Sequence, residues 1–496
     1  MEGVLGKMNL SFQDFVKQAK PGFRVPVVKD LAVNNLSPIA MVEALNLQDT
    51  QFALLESGKG GENLASHTFI CYSPQIVFRT KGSDILVNNE QVRDVHPYRY
   101  LEKILNSQPE VRWEELPKFT GGAVGFVSYD MARFFEKLPE LAEDDLQIPD
   151  LYFLLCDRVI EIDIMKRTAQ GVINVTIEQN SDLHHLYNWA VNELERLEAI
   201  LKQAPLEVES ELPRLALENL FNPEANISKS QFESMVVKAK DYIEAGDVFQ
   251  VNLSIRLGKE LKAHPWDVYK VLRRINPSPY GAYINFGDIQ LAGSSPELLV
   301  RIKDGMAETR PIAGTRRRGA DRDEDLALAH ELINNEKERA EHIMLVDLER
   351  NDLGRVCKYG TVRVNELMVI EEYSHVMHIV SNVQGRLGED KNNFDLLQAC
   401  FPGGTITGAP KVRCMEIIEE LEPTRRGVYT GSVGYFGYGG EMEMNISIRT
   451  LVITGGKAYV QAGAGIVADS VPEREYYESL KKAEALLRAL ELAERE

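Results

Sequence analysis

The sequence predicts a globular protein of mixed strand and helix content, built in two modules. Three observations predict it. The chain has 496 residues, more than one hydrophobic core usually organises. Apolar runs of strand length recur between turn residues, and amphipathic helical patterns interrupt them. A stretch without clear period, 203–229, holds three prolines and several acidic residues, as a module boundary would. The modules are therefore set at 10–205 and 225–490.

Composition narrows the function classes. A hydrophobic share of 44% and a charged share of 26% are those of a soluble globular enzyme. The formal charge of −19 argues against a nucleic-acid-binding protein, which would show a basic stripe. Five cysteines without CxxC spacing read as free thiols in a reducing compartment. There is no apolar run of membrane-spanning length, and MEGVLGKMNLSFQDF lacks an apolar signal region. A cytoplasmic protein is expected, with no membrane and no nucleic acid among its partners.

In the first module, strands are expected at 52–55, 68–71, 75–78, 85–87, 122–129, 152–156 and 172–177, with turns at 58–61 and 87–90. Helices are expected at 97–105 and 182–202. The second carries an apolar stripe of Leu186, Trp189, Ala190, Leu194, Leu197 and Leu201. The glycine-dense run GGAVGFVSYD at 121–130 reads as a strand packed closely on neighbouring backbone.

The second module opens with a helix that a Ser230/Glu233 capping box starts and Gly246 closes. Next comes the strand VFQVNLSIRL. Alternation puts Gln250, Asn252 and Ser254 on one face, which is unusual unless that face lines something wet. The turn NPSPYG at 276–281 and two further strands lead to GSSPE, a Gly/Ser turn that presents the carboxylate of Glu297. In ETRPIAGTRRRG, Thr309 and Ala313 precede three arginines that read as a solvated loop. His375 and His378 lie three apart in a segment rich in Val and Ile, where a histidine is more often a satisfied core residue.

The chemistry gathers on two helices. In NEKERAEHIMLVDLERND, at 335–352, Glu338 and Glu341 share one helical face. Such a pair is ordinarily a solvated surface. However, Glu475 and Glu478 repeat the spacing on a second helix, with Lys482 one turn further on. There Tyr476, Leu480, Ala483, Leu487 and Leu490 form a separate packing stripe. Four carboxylates delivered in twos suit Mg²⁺, which takes one or two carboxylates, keeps waters and leaves positions for an anionic substrate. Between these helices, FPGGTITGAPKVR runs a glycine loop into Pro410 at a helix start, where backbone N–H groups favour a carboxylate or phosphate. It is not a Walker loop, because Lys411 stands three beyond Gly408 and Val412 follows it.

FQVNLSIR, NPSPY, GSSPE, RPIAGTRRRG, KERAEHIMLVDLERNDLGRV, SHVMHIVS, FPGGTITGAPKVR, YTGSVGY, IRT, QAGAGIVADS and the EREYYE helix stand in one order. That order resembles the chorismate-utilising enzymes over essentially all of 225–490. LLESGKGG and GGAVGFVSYD extend the resemblance into the first module. It implies an α+β fold, with large antiparallel β-sheets packed between helices. It also implies Glu341 and Glu478 as Mg²⁺ ligands, with Glu338 and Glu475 flanking them. Glu297 matches the general acid for the departing C4 hydroxyl, and His378 an active-site histidine near the ring carboxylate. Tyr429 and Arg449 match residues that hold the enolpyruvyl carboxylate. The backbone at Gly463 and Gly465 and the side chain of Lys482 match further carboxylate contacts. Thr405 belongs to the glycine loop lining the pocket, and Thr309 and Ala313 belong to the substrate-binding segment.

Gln250 sorts the nucleophile. Isochorismate and salicylate synthases carry a lysine base for water at that position, and glutamine cannot deprotonate water. The chain thus resembles the ammonia-using branch, in which a separate glutamine amidotransferase subunit supplies ammonia. No GxCxG-type turn surrounds any of the five cysteines. Within that branch, FPGGTITGAPK, YTGS, QVNLS and DLERND lean toward aminodeoxychorismate synthase component I, and anthranilate synthase component I stays open as the alternative. Ala313 stands where many of the former have a lysine that attacks C2, and alanine is usual in the latter. Leu55, Glu56, Ser57, Pro279 and Tyr280 form a candidate regulatory pocket. In NPSPYG, Gly281 replaces a methionine, which would weaken the packing of a tryptophan inhibitor.

Overall fold

The computed structural model describes residues 7–33, 36–57, 67–205, 223–373 and 376–495. The turn expected at 58–61, His375 and most of the 203–229 boundary lie outside the described residues. Two twelve-stranded sheets dominate, and every ladder among the described residues is antiparallel. The first sheet runs Arg24–Leu31, Thr168–Thr176, Arg158–Asp163, His67–Tyr72, Phe52–Glu56, Tyr280–Asn285, Ile289–Ser295, Thr450–Thr454, Lys457–Ile466, Gln250–Glu260, Glu224–Ala225, with Gly408–Ala409 also paired to Gln250–Glu260. The second runs Ile312–Arg317, Val376–Arg386, Met306–Thr309, Leu298–Lys303, Met442–Ile446, Ser432–Gly437, Gly122–Val127, Leu151–Cys156, Ile76–Lys81, Asp84–Val87, Glu90–Val92, with Arg363–Glu372 also paired to Val376–Arg386. Each sheet takes strands from both sides of the 203–229 stretch.

Alternation along the strands divides their side chains between two interiors. Val124, Phe126, Tyr152 and Leu154 of the second sheet share one buried cluster with Ala282, Ile284 and Leu291 of the first. Their neighbours Ala123, Val127, Phe153 and Leu155 point the other way, into the larger cluster that holds the helices. With both faces covered, these strands read as unbroken apolar runs. Helices Leu183–Leu201, Lys229–Glu244, Pro265–Ile275 and Pro472–Ala493 pack on the first sheet, and Arg322–Asn334, Glu336–Gly354 and Asn393–Cys400 on the second. The α+β expectation of large antiparallel sheets between helices holds.

Some local readings change. The helix Lys229–Glu244 is capped by Ser228 with Gln231, not by Ser230 with Glu233. Ser228 Oγ accepts from Gln231 N at 3.3 Å, and Gln231 Oε1 accepts from Ser228 N at 2.8 Å. The strand Arg24–Leu31 escaped notice because it contains Pro26. It lies at a sheet edge, where a missing N–H is tolerated. The arginine segment is half strand, and its charges are paired: Arg316 with Glu331 and Glu338, Arg317 with Glu324, and Arg318 with Asp325 and Glu372.

A buried ion pair fixes the end of the first sheet. Arg426 and Glu422 are each 4% exposed. Arg426 donates to Glu422 through Nε at 2.9 Å and Nη2 at 2.7 Å. It also donates to Ile406 O at 3.2 Å, Thr430 Oγ1 at 3.2 Å and Asn252 O at 2.8 Å. Its guanidinium lies 5.0 Å from the Tyr129 ring centre and 5.5 Å from that of Tyr429. Glu422 Oε1 accepts in turn from Ser254 N at 2.9 Å and Ser254 Oγ at 2.8 Å. One cation thereby ties the Gln250–Glu260 strand, the glycine loop and the Tyr429 turn together. Arg426→Ala leaves Glu422 buried and unpaired, so it should cost about 3–5 kcal/mol. A urea melt will read this as a lower midpoint, and the double change Arg426→Met with Glu422→Leu should lose less.

Candidate active site

The site lies where the two layers meet. Gln250 opens its strand in the first sheet, and Glu341 sits on the helix Glu336–Gly354 that covers the second. Gln250 Nε2 donates to Glu341 Oε1 at 3.1 Å. The Gln250 backbone is pinned from the glycine loop: it forms a ladder pair with Ala409, and Cys414 Sγ donates to its carbonyl at 3.0 Å. Pro410 stands at the start of the helix Lys411–Leu421, as the motif suggested.

The four acidic residues lie on two helices, Glu338 and Glu341 on Glu336–Gly354 and Glu475 and Glu478 on Pro472–Ala493. Burial pushes the Glu341 carboxyl up, the Glu338 charge adds to this, and the lysines Lys337 and Lys482 oppose it. Burial also raises Glu475, with the Glu478 charge adding and the same two lysines opposing. Shared lysines place both pairs in one electrostatic neighbourhood, although they sit on different helices. Glu338 is held by Arg316 at 3.2 Å and Glu478 by Lys482 at 2.9 Å. Among the described residues, no three His, Cys, Asp or Glu side chains converge on one point. A cation that needs only one or two carboxylates does not require such convergence. Burial, with a like-charged neighbour adding, disfavours the ionised Glu341 and Glu475, and a cation would relieve both, so the donor set fits Mg²⁺.

Glu297 follows the strand Ile289–Ser295 and is 6% exposed. Burial raises its pKa to about 7, against the pull of the Thr405 hydroxyl and the Ile312 N–H, and its Oε1 lacks a hydrogen-bond partner. It is thus a carboxyl that keeps its proton near neutrality and has an oxygen free to act. Thr405, in the turn Gly404–Ile406, holds that hydroxyl beside Glu297.

His378 lies on Val376–Arg386, with Nδ1 3.0 Å from both the Gly314 carbonyl and Thr315 Oγ1. A carbonyl only accepts, so Nδ1 carries the proton and Nε2 keeps its lone pair when the ring is neutral. Burial lowers the pKa of His378, and the charge of Arg449 adds to that. Arg449 itself is lowered by burial, and among the described residues no carboxylate pairs with it. Tyr429, 9% exposed, lies within reach of the Arg449 charge, and burial raises its hydroxyl pKa. Lys482 Nζ donates to Gly463 O at 3.0 Å. Ala313, 8% exposed, pairs with Ile379, next to His378 on that strand. Thr309 is fully buried at the end of Met306–Thr309.

The regulatory set is less cohesive. Leu55 and Glu56 pair with Ala282 and Gly281, beside Tyr280. The Glu56 carboxylate is already taken by Tyr269 Oη at 2.6 Å and by Arg273 at 2.9 and 3.0 Å. Pro279 and Tyr280 line a separate cavity of about 10 Å³ with Arg310 and Glu371, which has room for one water at most.

Two groups escaped the sequence reading. Asn252 was placed on the polar face without a role. Its Oδ1 is buried and unpartnered. Glu349, 6% exposed, sits near Glu297 with its pKa raised to about 8 by burial, with Asp352 and Glu297 adding. The spacing Glu338, Glu341, Leu345, Glu349, Asp352 carries one face of the helix down to it, a signal present in the sequence.

The description "chorismate binding enzyme" belongs to the family model that matches residues 50–488. Aminodeoxychorismate synthase component 1 of Bacillus subtilis (strain 168) is 47% identical over 487 residues, 97% of this chain and 99% of that protein. Anthranilate synthase component 1 of Acetivibrio thermocellus is 44% identical over 475 residues, 95% and 96% of the two chains. The crystal structure of anthranilate synthase component I from Streptococcus pneumoniae TIGR4 superposes with a TM-score of 0.75 at 37% identity, covering 87% of this chain and 95% of that one. Matched along most of its length in sequence and in fold, this chain belongs to the chorismate binding enzyme family.

Proposed function

We propose that this chain is an aminodeoxychorismate synthase component I, converting chorismate and ammonia to 4-amino-4-deoxychorismate for para-aminobenzoate and folate synthesis. A glutamine amidotransferase subunit supplies the ammonia, and the setting is cytoplasmic. The observation that carries the ammonia-using part of this reading is the neutral amide of Gln250, held at 3.1 Å on Glu341 where a water-activating base would otherwise stand, and the variants FPGGTITGAPK, YTGS, QVNLS and DLERND favour aminodeoxychorismate as the product. Ammonia is already a nucleophile and needs no such base, whereas water would.

Glu297 is the general acid. Buried and protonated near neutrality, it gives its proton to the C4 oxygen, which leaves as water. Arg449, with Tyr429 beside it, grips the enolpyruvyl carboxylate, and His378 presents Nε2 near the ring carboxylate. Lys482 and the backbone at Gly463 and Gly465 close the remaining carboxylate contacts, with Thr405 beside the acid and Thr309 and Ala313 in the wall. Glu341 and Glu478, flanked by Glu338 and Glu475, would hold Mg²⁺, whose charge offsets that of a dianionic substrate. With Ala313 unable to attack C2, ammonia or water adds there first, and ammonia then displaces that group through C4.

A second reading, anthranilate synthase component I, is favoured by Ala313 and by the anthranilate synthases among the relatives. It predicts anthranilate and pyruvate instead.

Product analysis separates them. The protein alone, given chorismate, Mg²⁺ and ammonium at mildly alkaline pH, should yield a species that retains the enolpyruvyl group, with little pyruvate. Fluorescent anthranilate with equimolar pyruvate would establish the second reading instead. Glu297→Gln should lower kcat by roughly 10²–10⁴-fold while chorismate still binds by calorimetry. In the unmodified protein, the acid is lost as pH rises through about 7, so kcat/KM for chorismate at fixed free ammonia should fall above that pH. Chelation should abolish turnover and added Mg²⁺ restore it. Glu341→Gln should raise the Mg²⁺ needed for half-maximal rate by roughly tenfold or more.

A further inference from the structure

The polar face of Gln250–Glu260 divides in the folded chain. Ser254 is consumed by the Glu422–Arg426 pair and by Gln461 Nε2 at 2.9 Å. The other two members are not. Gln250 and Asn252 are 7% and 9% exposed, and the amide oxygen of each, Gln250 Oε1 and Asn252 Oδ1, is buried without a hydrogen-bond partner. Buried carbonyl oxygens in a folded protein nearly always find a donor, so two adjacent exceptions call for a ligand.

Their surroundings say how they are presented. The neighbouring strand Lys457–Ile466 places Gly465 opposite Asn252 and Gly463 opposite Ser254. A Cβ at Gly465 would meet Gln250 Nε2 at 2.3 Å, and one at Gly463 would meet Asn252 Oδ1 at 2.9 Å. The two amides therefore lie over bare glycine backbone, in space that any side chain would take. Residues two apart on a strand stand about 6.6 Å apart on one face. Two bonds of about 3 Å reach at most about 6 Å between acceptors, so one shared nitrogen needs the two amide tips closer together than their backbone, which rotation about the side-chain bonds allows.

We propose that Asn252 and Gln250 together form the binding site for the ammonia nucleophile, with Asn252 the second acceptor. This rests on the ammonia-using reading above. Two N–H bonds go to the two amide oxygens, and the nitrogen lone pair stays free for the ring. A neutral carbonyl oxygen orients the donor but cannot take a proton. Water held there is no better a nucleophile than in bulk, whereas ammonia needs only placement. Asn252 is thus a specificity-determining residue for the amine.

The test is steady-state kinetics with ammonium chloride as the nitrogen source, in the full chain without an amidotransferase. Asn252→Leu fills the space without an acceptor, and Asn252→Ala empties it. Both should raise KM for ammonia about tenfold, the loss of one hydrogen bond, with KM for chorismate moving less than about twofold. Should the leucine variant fail to fold, the alanine variant carries the test. An unchanged KM for ammonia, or an equal rise in both KM values, overturns the assignment of Asn252 and leaves the ammonia reading standing. Conversion of chorismate by the unmodified protein to a hydroxylated rather than an aminated product in the presence of ammonium overturns both.

Discussion

The buried bidentate pair of Arg426 and Glu422 is the contact on which the pocket depends. A charge that deep is tolerated only when its donors are satisfied, and here five hydrogen bonds satisfy one guanidinium. Those bonds end on the Asn252 carbonyl, the Ile406 carbonyl and Thr430. The strand that carries Gln250, the loop that carries Thr405 and the turn that carries Tyr429 are therefore set relative to one another by one residue. The strand is long and laddered to its neighbour, but the loop and the turn are short and irregular and depend on this contact for their place.

Around that anchor, burial does most of the electrostatic work. It raises Glu297, Glu341, Glu349 and Glu475, and it lowers His378 and Arg449. Each shift has the same cause, since a charge removed from water is disfavoured unless an opposite charge replaces the solvent. The pocket thus combines a carboxyl ready to donate a proton, carboxylates crowded by like charge and a guanidinium that, among the described residues, no carboxylate pairs. An anionic substrate accompanied by a divalent cation supplies what each lacks.

Much of the fold was legible in the sequence. The strand runs at 52–55, 68–71, 152–156 and 172–177 became strands of the two sheets, and both acidic helices formed. What failed did so for local reasons. Pro26 hid an edge strand, and Ser228 outcompeted Ser230 because Gln231 could close the reciprocal bond. The stripe on the C-terminal helix held at Ala483 and Leu490, both buried, and shifted elsewhere. Leu486 and Ala489 are fully buried, while Tyr476, Leu480 and Leu487 are only partly so, because the helix packs on Pro265–Ile275 as well as on the sheet.

By itself, the sequence determined the kind of chemistry. The residue types in GSSPE, in the two Glu-x-x-Glu pairs and in FPGGTITGAPK are fixed by the motifs, and so was the family. Tertiary structure alone decided which side chains meet. Gln250 lies 91 residues from Glu341, and Arg426 lies 174 residues from Asn252, so no periodicity along the chain could pair them. Nor could the sequence say which polar residues would remain unpartnered once buried. That depends on what packs over each atom, and here bare glycine backbone lies over Gln250 and Asn252 while Glu422 reaches Ser254.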